Sequence, residues 1–149
     1  MAPRAHSDEA YVIDLCDHIL GMKAHRQWRF PFLVGDLGRN GRCARLPVDA
    51  FYPQLRLVVE YHEHQHSEPV PFFDRRISAA GISRGVQRRA YDERRRVVLP
   101  EHGMTLVVIC CSELSHNGRR RLMRDRWRDE NTIRKTFEAA GVILTPERQ

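Results

Sequence analysis

A chain of 149 residues with 42% hydrophobic content is the size of one domain built around a single core. It contains no run of about eighteen apolar residues, and Met1 to Ser7 lacks the apolar centre of a signal peptide, which argues against a membrane span or export and for a cytoplasmic protein. The net charge of +6 comes almost entirely from arginine, since Lys23 and Lys135 are the only lysines, and arginine's planar fork favours phosphate-bearing partners such as nucleic acid. Cys16, Cys43, Cys110 and Cys111 form no CxxC pair and read as buried thiols rather than a zinc knuckle or disulfide framework. At the N-terminus, Ser7-Asp8-Glu9 followed by Tyr11, Val12, Ile13, Leu15, Cys16, Ile19 and Leu20 predicts a capped helix that stops at Gly21. Gln27 to Val34 then reads as a strand despite Pro31, and residues 35–41, with Asn40-Gly41, as a turn.

Arg45 to Phe51 and Leu57 to His62 are rich in apolar and β-favouring residues, and the proline-bearing stretch Tyr52 to Arg56 predicts an antiparallel hairpin between them. A turn centred near Gln54 and Leu55 sets Asp49 opposite Glu60. The two-residue period of a strand puts His62 on the face of Glu60. Two carboxylates at that spacing repel unless a cation lies between them, and hard oxygen donors suit Mg²⁺ or Mn²⁺. The imidazole of His62 then serves as a further ligand or takes a proton from water. Leu57-Val58-Val59 is too apolar for an exposed edge.

Residues 67–85 read as an irregular excursion, with Phe72 and Phe73 as candidate contacts for a partner. Arg84 to Leu99 predicts a charged helix, Thr105 to Cys110 a buried strand reached by an α/β crossover, and Arg119 to Ala140 a second charged helix using Leu122, Met123, Trp127, Ile133 and Phe137 inwardly. Val142-Ile143-Leu144 reads as a short final strand. Arg119, Arg120 and Arg124 belong to the densest basic cluster and are expected to ride a DNA backbone. Trp28 and Trp127 read as core or interface anchors.

The order of helix with Glu9, strand with Asp49, strand with Glu60 and His62, long helix and further strand resembles the PD-(D/E)xK nuclease superfamily. Within it, Val48-Asp49-Ala50-Phe51-Tyr52-Pro53, Leu57-Val58-Val59-Glu60 and the Tyr-Asp-x-x-Arg pattern at Tyr91-Asp92-Glu93-Arg94-Arg95 are similar to the very-short-patch repair endonuclease-like branch. The resemblance implies an α/β, restriction-endonuclease-like fold with a central mixed β-sheet flanked by helices. It also implies a metal-dependent DNA endonuclease of repair, restriction or mobile-element type. In that scheme Asp49 and Glu60 hold Mg²⁺ or Mn²⁺, Glu9 assists from the first helix, His62 is base or ligand, and Arg89 or Arg95 steadies the phosphate. Gln65, His66 and Asp92 are expected around this inner set.

The sequence departs from the pattern twice. His62 stands where lysine is usual, a substitution found in some repair and homing endonucleases of this branch, and Glu63 stands where relatives tend to have glycine. A catalytically inactive DNA-binding or interaction module on the same fold is the alternative. A His-rich metal-binding domain using His62, His64 and His66 is a further one, although a cupin-like module needs many short strands. A homodimer or a larger repair or defence complex is the expected assembly.

Overall fold

The computed structural model describes residues 7–63, 84–119 and 121–144. Helix α1 (Asp8–Leu20) forms where the sequence placed it: Ser7 Oγ accepts from the Ala10 amide at its start, and Gly21 takes the left-handed conformation (φ 68°) that ends it. Three strands follow, β1 (His25–Leu37), β2 (Cys43–Tyr52) and β3 (Leu57–His62), with a 3₁₀ turn at Pro53–Leu55 joining the last two. The second helix, α2 (Arg84–Glu101), leads into β4 (Thr105–Cys110), and α3 (Arg126–Ala139) completes the described elements. The four strands lie in the order β1-β2-β3-β4, antiparallel up to β3 and parallel between β3 and β4. This is an α/β fold: among the described residues, a mixed sheet flanked by three helices. No helix among the described residues is long and apolar enough to cross a membrane.

The sheet buries both faces, which is why Leu57-Val58-Val59 of β3, in the interior, reads as a continuous apolar run. On one face α1 and α3 pack Ile13, Cys16, Ile19, Ile133 and Phe137 against Ala50, Tyr52, Leu57, Val59 and Ile109. On the other, α2 packs Leu99, with Tyr91 beside it, against Phe30, Leu33, Leu46, Val48, Phe51 and Val58. Strand alternation slips within β2. Val48 and Phe51 both face α2 although they are three residues apart, while Ala50 and Tyr52 face α1. The slip falls at Asp49, and the position across from it, Gln27, has a left-handed backbone (φ 52°) between the pairs Arg26↔Ala50 and Trp28↔Val48.

Several expectations need correction. β1 runs to Leu37 rather than Val34, tolerating Pro31 because it is an edge strand whose pairing shifts between Arg29 and Val34. The last helix begins at Arg126, not Arg119, because Asp125 caps it by accepting from the Arg128 amide and Arg124 before it has a φ of 58°. Met123 and Trp127 consequently face solvent instead of the core. Trp28 is 41% exposed, and Cys43 is exposed while Cys16 and Cys111 are buried. Residues 142–144 form no strand.

Candidate carboxylate site at the strand fork

The β2–β3 ladder pairs Tyr52 with Leu57, Phe51 with Val58 and Ala50 with Val59. Continued by one residue, that register sets Asp49 across from Glu60, but side chains take over from the backbone there. The Asp49 amide donates to Glu60 Oε2 at 3.0 Å, and the Tyr61 amide donates to Asp49 Oδ2 at 2.8 Å. Each carboxylate thus satisfies a backbone N–H of the opposite strand, and the strands part around them.

Glu9 reaches the same fork from the first turn of α1, in hydrogen-bond contact with Asp49. Gln27 bridges the two: its Nε2 lies 3.3 and 3.4 Å from the Glu9 carboxylate oxygens and 3.5 Å from Asp49 Oδ1. The left-handed backbone of Gln27 and the slip at Asp49 are one local distortion, which turns an amide and a carboxylate toward each other at the edge of the sheet. A lone glutamine in an ordinary strand gave no sequence signal for this role.

From the other face, α2 supplies Arg95. Its Nε is 3.0 Å from Glu60 Oε1, a charge contact without an aligned N–H; its Nη1 donates to Asp92 Oδ1 at 3.1 Å and its Nη2 to the Pro47 carbonyl at 3.0 Å. His62 shares this face with Glu60 and places Nε2 3.9 Å from Asp92 Oδ1. Glu60, His62, Asp92 and Arg95 line a crevice too tight to admit water. The rest of the Tyr91-to-Arg95 motif docks the helix: the Asp36 amide and Gln87 Nε2 both donate to Tyr91 Oη at 2.9 Å, and Arg94 Nη1 donates to the Val34 carbonyl at 2.8 Å.

The electrostatics follow from crowding. Glu60, 4% exposed, has its pKa pushed up to about 9 by burial first and then by the charge of Asp49. Glu9 is raised to about 8, first by its hydrogen bond to Asp49, then by burial and the Asp49 charge. Burial pushes Asp49 upward too, but hydrogen bonds from Glu9, Glu60 and the Tyr61 amide, with the nearby His62, outweigh it, so its pKa is lowered. The crowding thus favours the ionised form of Asp49 and the acid forms of its two neighbours.

Pairwise contacts link Glu9, Asp49, Glu60, Arg95, Asp92 and His62 in that order, and the Arg95 guanidinium is turned inward to Glu60 and Asp92. Arg89 lies half-buried on α2. Arg124 is held by Asp8, with Nε and Nη2 at 3.2 and 3.1 Å from Oδ1, and its guanidinium lies over the Tyr11 ring. Arg119 is exposed. Arg120, His64, Gln65, His66, Phe72 and Phe73 lie outside the described residues. Among the described residues no three His, Cys, Asp or Glu side chains already stand as a metal-binding group. The donors are the hard oxygens a divalent cation takes: three carboxylates approach one another, burial and mutual hydrogen bonding favour protons on Glu9 and Glu60, and a cation bound there would compete with Arg95 for Glu60 Oε1. No protein-family model, no curated protein and no solved structure matches the chain.

Proposed function

We propose that the protein is a Mg²⁺- or Mn²⁺-dependent DNA endonuclease of the PD-(D/E)xK type, on a restriction-endonuclease-like fold. One observation carries this reading: Glu9, Asp49 and Glu60, from a helix and two strands, meet at a fork where burial and mutual hydrogen bonding, reinforced by the Asp49 charge, favour the acid forms of Glu9 and Glu60. The order helix, three-stranded meander, helix and parallel strand supports it, since that order carries the resemblance. Asp49 and Glu60, with Glu9, would hold the cation, whose chemistry there is to acidify water and offset negative charge on a phosphodiester. In this reading His62 would accept the proton from water once a cation and substrate open its crevice, with Asp92, 3.9 Å from Nε2 and bonded to Arg95, as its charged neighbour. Gln27 keeps the Glu9 and Asp49 oxygens converged.

One observation favours the second reading, an inactive DNA-binding or interaction module. Arg95 already supplies a positive charge to Glu60 without any cation. Incubation of supercoiled plasmid with the protein separates the two. Nicking in Mg²⁺ or Mn²⁺, absent in EDTA and lost in Asp49→Ala and in Glu60→Ala, is the expected result. Cleavage that persists in both variants rejects the site, and metal-independent binding without cleavage selects the inactive module.

A further inference from the structure

A second recess is built from other residues, between the turn that follows β4 and the outer side of α3. Its volume is about 560 Å³, within the range of small-ligand sites. Glu113, Leu114 and Ser115 form one wall, with Trp127, Arg128, Asn131, Thr132 and Lys135 opposite. The spacing explains the second wall: these five fall on one side of α3, while Asp129, Ile133 and Phe137 turn inward. Asp129 fixes the first wall, its fully buried carboxylate accepting from the Ser115 amide at 3.0 Å and from Tyr11 Oη at 2.7 Å. The recess is thus tied to α1, the helix that carries Glu9.

Two properties of this surface call for a ligand. Trp127 is 73% exposed and Met123 69%, an apolar area that folding has left in water. The recess itself carries Arg128 and Lys135 against one acid, Glu113, and adjoins the segment 119–135, which holds eight arginines and lysines against three acids in the sequence. An indole set in a basic surface fits a partner with both a flat aromatic face and an anionic backbone.

We propose that this groove binds a single-stranded nucleic acid, with an unpaired base stacked on Trp127 and flanking phosphates held by Arg128 and Lys135. A duplex keeps its bases stacked on one another and offers this indole nothing. Asn131 and Thr132, one turn further along α3, supply hydrogen bonds to the base edge. The Arg128 guanidinium meets Asp125 in a solvent-exposed contact of 3.6 Å, which a phosphate can displace. The proposal rests on the nucleic-acid partner of the reading above but not on its chemistry.

Trp28 and Trp127 are the only tryptophans, so Trp28→Phe leaves Trp127 as sole reporter and Trp127→Phe is the control. Each protein is titrated in EDTA with an oligothymidylate strand. We expect saturable quenching of Trp127, a loss of affinity of roughly 5- to 150-fold in Trp127→Ala, and a shallower salt dependence, by about 0.7 per cation removed, in Arg128→Ala and Lys135→Ala. Circular dichroism verifies that the exposed substitutions leave the fold intact. Equal quenching by duplex DNA, anionic lipid vesicles or polyglutamate overturns the proposal, as does strand binding unchanged in Trp127→Ala. Trp127-dependent strand binding without cleavage in Mg²⁺ or Mn²⁺ upholds the groove and removes the nuclease reading. Cleavage with strand binding indifferent to Trp127 does the reverse.

Discussion

Replacing Glu60 with glutamine tests the electrostatics of the fork without changing its shape. Glutamine retains the size and the donating hydrogen of a protonated acid but cannot ionise. In the native protein Glu60 is raised from its ordinary 4.5 to about 9, so the fold favours the acid form. The sign follows: this contribution is complete below about pH 4.5 and is lost as pH rises through the folded value near 9. Each pKa unit separating folded and unfolded states is worth about 1.4 kcal/mol, which puts a ceiling of about 6 kcal/mol on the loss. Relaxation of the strands admits water and reduces it, so the expected difference at pH 9 is about 2–4 kcal/mol, a sizeable part of a domain's ~5–15 kcal/mol. Urea unfolding should therefore show wild type and Glu60→Gln coinciding at pH 5, with the variant progressively more stable towards pH 9. Saturating Mn²⁺ should close the gap by stabilising only the wild type. Parallel profiles, within about 0.5 kcal/mol from pH 5 to 9, or equal stabilisation of both proteins by Mn²⁺, would refute the idea that charge crowding at Glu60 awaits a cation.

Gly35→Ala should cost about 1–3 kcal/mol in thermal unfolding. The added methyl would stand 2.9 Å from Tyr91 Oη and 3.0 Å from Leu46 Cδ2. Tyr91 cannot retreat without losing its bonds to the Asp36 amide and Gln87, so a further Tyr91→Phe change should recover part of the loss. Gln27→Gly should leave stability unchanged or raise it by about 1 kcal/mol by relieving the left-handed backbone, while lowering plasmid nicking at least about ten-fold; full activity would remove Gln27 from the site. His62→Ala should reduce nicking by about 10²- to 10⁴-fold and His62→Lys should preserve it, and an alanine variant as fast as wild type would discard His62 as base.

The hairpin was legible because a proline-bearing turn between two apolar runs fixes register, and register alone sets Asp49 across from Glu60. The caps of α1 and the interior place of β3 were legible for equally local reasons, a serine and a glycine in one case and unbroken apolarity in the other. The distortion at Gln27 was not, since the left-handed backbone of a polar residue in a strand is imposed by tertiary contacts with Glu9 and Asp49. Nor was the start of α3. The arginine-rich segment before it has good helix propensity, but the Leu122 amide and Arg124 are bound by Asp8, more than a hundred residues earlier in the chain, and that pull holds the segment out of the helix. Asp8 read simply as an acidic residue in the first turn of α1.

Arg95 separates what a structural role explains from what it leaves over. Buried acids are often replaceable by apolar side chains without loss, so a cluster of them needs a reason to exist. One arginine that joins Glu60, Asp92 and the Pro47 carbonyl is a sufficient reason for Glu60 and Asp92, because it staples α2 to the sheet. It does not account for Glu9, which is set against Asp49 with its acid form favoured, or for Gln27, whose unfavourable backbone accompanies its bridge between Glu9 and Asp49. The α2 side of the fork is compatible with either reading. The α1 side is costly in any protein that never binds a cation there, so the choice between nuclease and inactive module turns on Glu9 and Gln27 more than on the two strand carboxylates.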